Sequence, residues 1–146
     1  EQDEREHGIR SILNYGHTVG HALEALTDYA YYTHGEAVAI GMIAAAKISS
    51  EIHAADQDTG KLQESLVEAA VLPTRIERPI HAHDIVQQLK RDKKRLAGRV
   101  RWVLPRTIGQ VFLTDEVPSD VVFRILKDMT ISKEVESHCG RRSVSR

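Results

Sequence analysis

Ten consecutive residues, Ala37 to Ala46 (AVAIGMIAAA), carry no polar side chain. As a helix this run would be apolar around its whole circumference, and such a helix has to be covered by other parts of the chain on most sides. It is also too short to cross a bilayer, which takes about 18 or more apolar residues. The run therefore predicts a buried core helix, starting near His34 or Gly35 and continuing to about Ala54. The rest of the 146 residues, about one domain's worth of chain, has to pack around it.

The neighbouring segments can supply that cover. From Arg10 to Thr27, Ile12, Leu13, Val19, Ala22, Leu23, Ala25 and Leu26 recur at helical spacing with no proline between them. Asp28 to Thr33 interrupts the pattern. Lys61 to Leu72 reads as an amphipathic helix closed by Pro73, and Ala82 to Lys90 as another, with Asp84 near its start. Val100, Trp102 and Leu104 then alternate with more polar positions, and Val111 to Leu113 is a second β-prone run. Pro105 to Gly109 reads as the turn between them, so a short hairpin is expected. A last helix is expected after Pro118 and Ser119, through Val121, Val122, Ile125 and Leu126. The fold class is mainly α with one small β-hairpin, as a single domain over residues 1–132 followed by a polar, disordered tail over 133–146.

Charge narrows the function classes. Twenty Lys and Arg against 21 Asp and Glu give a formal net charge of −1, which offers no electrostatic reason to bind nucleic acid or an anionic membrane. A solitary cysteine, Cys139, excludes an internal disulfide framework and fits a reducing compartment, the cytoplasm. The opening EQDEREHG is acidic, so no signal or transit peptide is expected, and with no initiator Met a segment of a longer protein is expected.

One polar feature is not explained by core packing. Arg10, Asn14, His17 and His21 are spaced four, three and four apart, which puts them within about 60° of one another on a helix. Such a stripe can be an ordinary solvated face. Its composition, however, is not the usual Lys/Glu mixture, and Gly16 and Gly20 beside it weaken a helix unless another backbone or a ligand approaches closely. His17 and His21 have the spacing of a metal-ligand pair, a spacing that also arises by chance, and His34 in His-Gly-Glu could point back at them from the next helix. No carboxylate ligand stands out, with Glu6 and Glu36 candidates by proximity only. Lys93 and Lys94, before Gly98, read either as a solvated pair in a turn or as a pair that binds a carboxylate or phosphate. His7, His53, His81, His83 and His138 read as surface or structural residues.

RSILNYGHTVGHALE over residues 10–24, HGEAVAIGM over 34–42, RDKK over 91–94, and VLP at 103–105 followed by IG at 108–109 resemble the 3-dehydroquinate synthase family. The likeness runs from the DEREHG lead-in at residues 3–8 to the last helix. It implies a two-domain enzyme in which an N-terminal NAD-binding α/β domain, outside this chain, precedes a helical metal- and substrate-binding domain like this one. It also implies the family's reaction, conversion of 3-deoxy-D-arabino-heptulosonate 7-phosphate to 3-dehydroquinate and phosphate in the shikimate pathway. There NAD oxidises a substrate hydroxyl to a ketone, the ketone acidifies the neighbouring C–H so that phosphate is eliminated, and the ketone is reduced again before the ring opens and recloses by an aldol step.

Position by position, the resemblance makes His17 and His34 ligands of Zn2+ or Co2+, with a third, glutamate ligand in the N-terminal domain. It makes Arg10, Asn14 and one of Lys93 and Lys94 substrate-binding residues, and gives His21 and Glu6 proton handling or phosphate positioning. The metal pair is then His17 with His34, not His17 with His21. It further implies a homodimer acting on a sugar phosphate, with no nucleic-acid or membrane partner, and a 146-residue fragment that is inactive alone. Sibling sugar-phosphate cyclases such as 2-deoxy-scyllo-inosose synthase are the nearest alternative. Metal-dependent alcohol and glycerol dehydrogenases follow, although LNYGH and DKK are not expected of them. The remaining alternative is a helical domain that catalyses nothing.

Overall fold

The computed structural model describes residues 10–77, 79–95, 98 and 100–131. Glu6, His7, His138, Cys139 and the predicted tail lie outside the described residues. Among those described, five helices and one hairpin follow in order: α1 (His17–Leu26), α2 (His34–Glu51), α3 (Gln57–Ala69), α4 (Ala82–Arg95), β1 (Trp102–Thr107), β2 (Gln110–Thr114) and α5 (Ser119–Met129). The mainly helical class with one small hairpin is the one predicted. No helix among the described residues is long and apolar enough to cross a membrane.

The apolar run forms the middle of α2, which is the hub: α1, α3, β1 and α5 all pack against it. Ala37, Ile40, Ala44 and Ile48 are completely buried, together with Leu23 of α1, Leu104 of β1 and Leu126 of α5. Each fully buried Leu or Ile contributes about 1.5–3 kcal/mol relative to an exposed one, so this layer is the main source of stability. The alanines matter in another way, because their small side chains let four neighbours reach the same helix. Polar ties then fix the hairpin in place. The buried Ser49 hydroxyl on α2 donates to the Pro105 carbonyl (2.6 Å), and the Asp56 amide donates to the Arg106 carbonyl (3.2 Å). Ile76 forms a parallel bridge with Thr130, which ties the segment after α3 to the end of α5.

α3 spans Gln57–Ala69 rather than the expected Lys61 to Leu72, ending before Val71, whose φ of 58° is left-handed, and three further expectations change. The single helix predicted from Arg10 to Thr27 is two pieces. Residues 10–12 are helical, 13–16 turn, and α1 starts only at His17. Gly16 is the reason: its φ of 79° lies in the left-handed region, through which an α-helix cannot continue. A side chain at Gly16 would also meet Met42 Cγ and the Val38 carbonyl at 2.6 Å, so the backbone of this turn lies directly on α2. Second, α4 does not stop at Lys90 but runs to Arg95, placing Lys93 and Lys94 in its last helical turn. Cationic side chains there favour the negative end of the helix dipole and prolong the helix. Third, β1 continues through Pro105 to Thr107, and Ile108-Gly109 makes the hairpin loop. Pro105 fits in the strand because it sits beside an irregularity in the pairing, between Pro105 and Thr107.

Tyr15, in the turn before α1, reaches across α2 to α3, where its hydroxyl donates to Gln63 Oε1 (2.5 Å). It lines a largely apolar cavity of about 680 Å3 with Val38, Met42, Leu66 and Ile108. Burial pushes the Tyr15 hydroxyl up from its usual 10.0 to about 12, with the Gln63 bond acting weakly in the opposite direction. A group whose folded pKa is raised in this way leaves stability intact below the unfolded value, and stability is lost as pH rises from about 10 towards 12. Urea unfolding at pH 9 and pH 11 is expected to show the wild type losing about 1 kcal/mol more than Tyr15→Phe across that interval. Equal losses in the two proteins would show that Tyr15 stays ionisable in the fold.

Candidate metal and substrate site

Two local devices place the histidines. Gly16 starts α1 at His17, so His17 and His21 stand one turn apart on the same helix. Thr33 starts α2 at His34 through a capping box: its hydroxyl accepts from the Glu36 amide (3.3 Å) while the Glu36 carboxylate accepts from the Thr33 amide (2.8 Å) and hydroxyl (2.9 Å). These bonds, the backbone one foremost, hold the Glu36 carboxyl below its usual range. Glu36 is therefore engaged at the helix start through Oε2.

The close approach of α1 to α2 brings the two helix starts together. A Cβ on Gly41 of α2 would overlap the Gly16 carbonyl oxygen, and one on Gly20 of α1 would lie 3.1 Å from the Ala37 carbonyl oxygen. With backbones in direct contact, His34 faces His17 and His21. The His17 ring centroid lies 5.2 Å from that of His21 and 5.2 Å from that of His34, and His21 and His34 are 5.9 Å apart. Three imidazoles from two helices thus form one cluster at the surface, with His17 partly buried and His21 and His34 exposed.

Hydrogen bonds orient two of these rings. His17 Nδ1 lies 3.2 Å from the Tyr15 carbonyl. A carbonyl only accepts, so Nδ1 carries the proton, and in the neutral ring Nε2 presents its lone pair. His34 Nδ1 lies 3.1 Å from Glu24 Oε1, a carboxylate on α1 that is only 8% exposed. Glu24 is the functional-site residue that the sequence reading left without a role. The signal was present: Glu24 follows His21 by three residues and His17 by seven, so the arithmetic that defined the polar stripe also puts it on that face. Ligand atoms of His21, Glu24 and His34 lie within 4.8 Å of one another, close enough to hold a metal ion. The donor set of imidazoles beside a carboxylate suits zinc or cobalt.

The other predicted residues lie on neighbouring segments of the chain. Arg10, in the short helical piece over 10–12, and Asn14, in the turn that leads into α1, are exposed, and the Asn14 carbonyl accepts from the His17 amide (3.0 Å). Lys93 and Lys94 are exposed at the end of α4, a helix that packs on α1. Lys93 lines a cavity of about 280 Å3 with Trp102, Val117 and Ser119. Just beyond, the Arg101 carbonyl accepts from the Thr18 hydroxyl (3.1 Å), so the chain that follows the lysines returns to the start of α1. Trp102 is buried in the core, as expected. The histidines are thus gathered into one cluster, while the lysines stand at the end of a helix that packs on α1.

Comparison with known proteins gives the family and the fold. Residues 1–95 match the family model for the 3-dehydroquinate synthase C-terminal region. The 3-dehydroquinate synthase of Crocosphaera subtropica is 46% identical over 128 residues, which cover 88% of this chain and 35% of that protein. The chain therefore spans about a third of the length of the curated relatives it matches. Among solved structures, 2-deoxy-scyllo-inosose synthase complexed with carbaglucose-6-phosphate, NAD+ and Co2+ is 27% identical with a TM-score of 0.67, covering 80% of this chain and 33% of its own. A 2-epi-5-epi-valiolone synthase from Streptomyces hygroscopicus with NAD+ and Zn2+ bound shares the fold, with a TM-score of 0.70 at 19% identity over 80% of this chain and 32% of its own.

Proposed function

This chain belongs to the 3-dehydroquinate synthase family, and from that membership we propose that it forms the metal- and substrate-binding part of an enzyme that converts 3-deoxy-D-arabino-heptulosonate 7-phosphate to 3-dehydroquinate and phosphate. The observation that carries the reading is the convergence of His17, His21 and His34 from two helices onto one surface cluster, with His17 Nε2 left free by the Tyr15 carbonyl. His17 and His34 would hold a zinc or cobalt ion, completed by a carboxylate from the part of the enzyme outside these 146 residues. When bound, the metal supplies Lewis acidity towards substrate hydroxyls, and NAD, held mainly by that other part, supplies reversible hydride transfer.

The chain's own side chains would do the rest. Arg10, Asn14 and a lysine at position 93 or 94 bind the substrate's anionic groups and hold the reacting centre in register, a large share of such catalysis. His21, and Glu6 by the family resemblance, would handle protons or position the departing phosphate. Family membership further implies a homodimeric enzyme in the cytoplasm.

The test is phosphate release from 3-deoxy-D-arabino-heptulosonate 7-phosphate by the complete parent protein. Release is expected to require both NAD and zinc, whereas the 146-residue fragment alone binds zinc weakly and turns nothing over. No release from folded, zinc-loaded parent would reject this substrate. Glucose 6-phosphate or sedoheptulose 7-phosphate would then identify a sibling cyclase, the reading favoured by the structural likeness to 2-deoxy-scyllo-inosose synthase.

A further inference from the structure

We propose that Glu24 is a positioning residue for the metal centre: its buried carboxylate fixes the tautomer and orientation of His34, so that Nε2 of His34 faces the metal. This deepens the metal reading given above and rests on it. The Glu24 side chain is only 10% exposed and that of His34 is 58% exposed, so the pair has one end in the core and one at the surface. A buried carboxylate is costly unless it accepts hydrogen bonds, and here Oε1 accepts from Nδ1 of His34 at 3.1 Å. Between an ionised Glu24 and a neutral imidazole that bond takes its proton from Nδ1, which leaves Nε2 with the lone pair that a metal requires.

The neighbouring backbone prevents the pair from being remade elsewhere. Glu24 sits on α1 and His34 at the start of α2, and these helices are in backbone contact at Gly16, Gly20 and Gly41. The capping box at Thr33 fixes where His34 leaves the chain. His17 is treated in the same manner by the Tyr15 carbonyl on its own Nδ1. Both imidazoles assigned to the metal are therefore held through Nδ1, and partners of this kind tune the affinity of a metal site by about 10–100-fold. In the competing arrangement Glu24 itself is a ligand, with His21 and His34, as their 4.8 Å grouping allows. That arrangement would leave His17 out.

The experiment uses the complete parent protein, stripped of metal and labelled with 15N-histidine, with His34 identified from a His34→Asn spectrum. Wild-type His34 is expected to carry its proton on Nδ1 above pH 8, and added zinc to perturb Nε2. Glu24→Ala is expected to lose the Nδ1–H tautomer and to weaken zinc binding, measured by competition with a chromophoric chelator, by about 10–100-fold. Glu24→Gln, whose amide oxygen still accepts from Nδ1–H, is expected to keep the tautomer and bind zinc within a few-fold of wild type. An Nε2–H tautomer in wild-type His34 would overturn the proposal without using any variant, which covers the case in which Glu24→Ala does not fold. Loss of zinc in Glu24→Gln as complete as in His34→Asn would overturn it in favour of Glu24 as a ligand. Unchanged zinc affinity in both variants would reduce the contact to a structural one. If the wild-type parent binds no zinc, the metal reading itself fails, an outcome separate from an Nε2–H His34 in a protein that binds zinc.

Discussion

Gly41→Ala is expected to unfold the domain or lower its Tm by more than about 10 °C. The added Cβ would overlap the Gly16 carbonyl oxygen and lie 2.9 Å from the Gly16 carbonyl carbon and 3.0 Å from the Gly20 amide nitrogen. All three are backbone atoms, so no side chain can swing away. The helices α1 and α2 would have to separate, opening the layer that buries Val19, Leu23, Ile40 and Ala44. Overpacking a core usually costs about 1–3 kcal/mol because flexible groups adjust. Backbone against backbone belongs in the exceptional class above about 4 kcal/mol, a large part of the roughly 5–15 kcal/mol that stabilises a domain. Gly35→Ala is the control: a Cβ there meets nothing within 4 Å, and the change is expected to be neutral or stabilising by up to about 1 kcal/mol. Thermal unfolding of both variants of the parent protein, followed by circular dichroism, decides the matter. A Gly41→Ala variant that melts within about 2 °C of the parent would mean that the helices do not pack as closely as described here.

His17→Ala is expected to abolish turnover by the parent enzyme while leaving it folded. His17 is partly buried at the surface cluster, outside the main apolar layer, so its removal has little effect on packing. If His17 is the metal ligand proposed, its loss removes several kcal/mol of charge stabilisation, or about 10³-fold or more in rate, together with zinc affinity. His21→Ala separates the two roles: it is expected to keep zinc and lose about 10²–10⁴-fold in rate, the usual share of a general acid or base. Zinc content after dialysis and phosphate release, measured on the same preparations, provide both readings. If His21→Ala loses zinc and His17→Ala keeps it, the metal belongs to the grouping of His21, Glu24 and His34.

Much of the architecture was legible in the local pattern. The run from Ala37 to Ala46 demanded a helix covered on most sides, and α2 is contacted by α1, α3, β1 and α5. The amphipathic stretches gave α3, α4 and α5, and alternation at Val100 to Leu113 gave the hairpin. The boundaries were less legible where a residue's conformation answers to a distant partner. Gly16 reads as a tolerable flaw in a helix until α2 lies against it; with Val38 and Met42 in contact it becomes a left-handed turn and a helix start. Likewise the stripe of Arg10, Asn14, His17 and His21 was derived for one continuous helix. Its histidine half survives on α1, while Arg10 stands on the separate helical piece before it and Asn14 in the turn between them.

Chemistry divides along the same line. Residue types and short spacings were enough to single out His17, His21 and His34 and to associate them with a metal, because ligand chemistry is a property of the side chains and i, i+4 neighbours share a helix face. The meeting of His34 with the other two could not be read from spacing, since it depends on glycine-to-glycine contact between helices whose contacting residues are 25 positions apart. Nor could the tasks of the two acidic residues, Glu36 at the helix start and Glu24 beneath His34. A carboxylate's role is set by whichever donor the fold brings within about 3 Å, and for Glu24 that donor arrives from another helix.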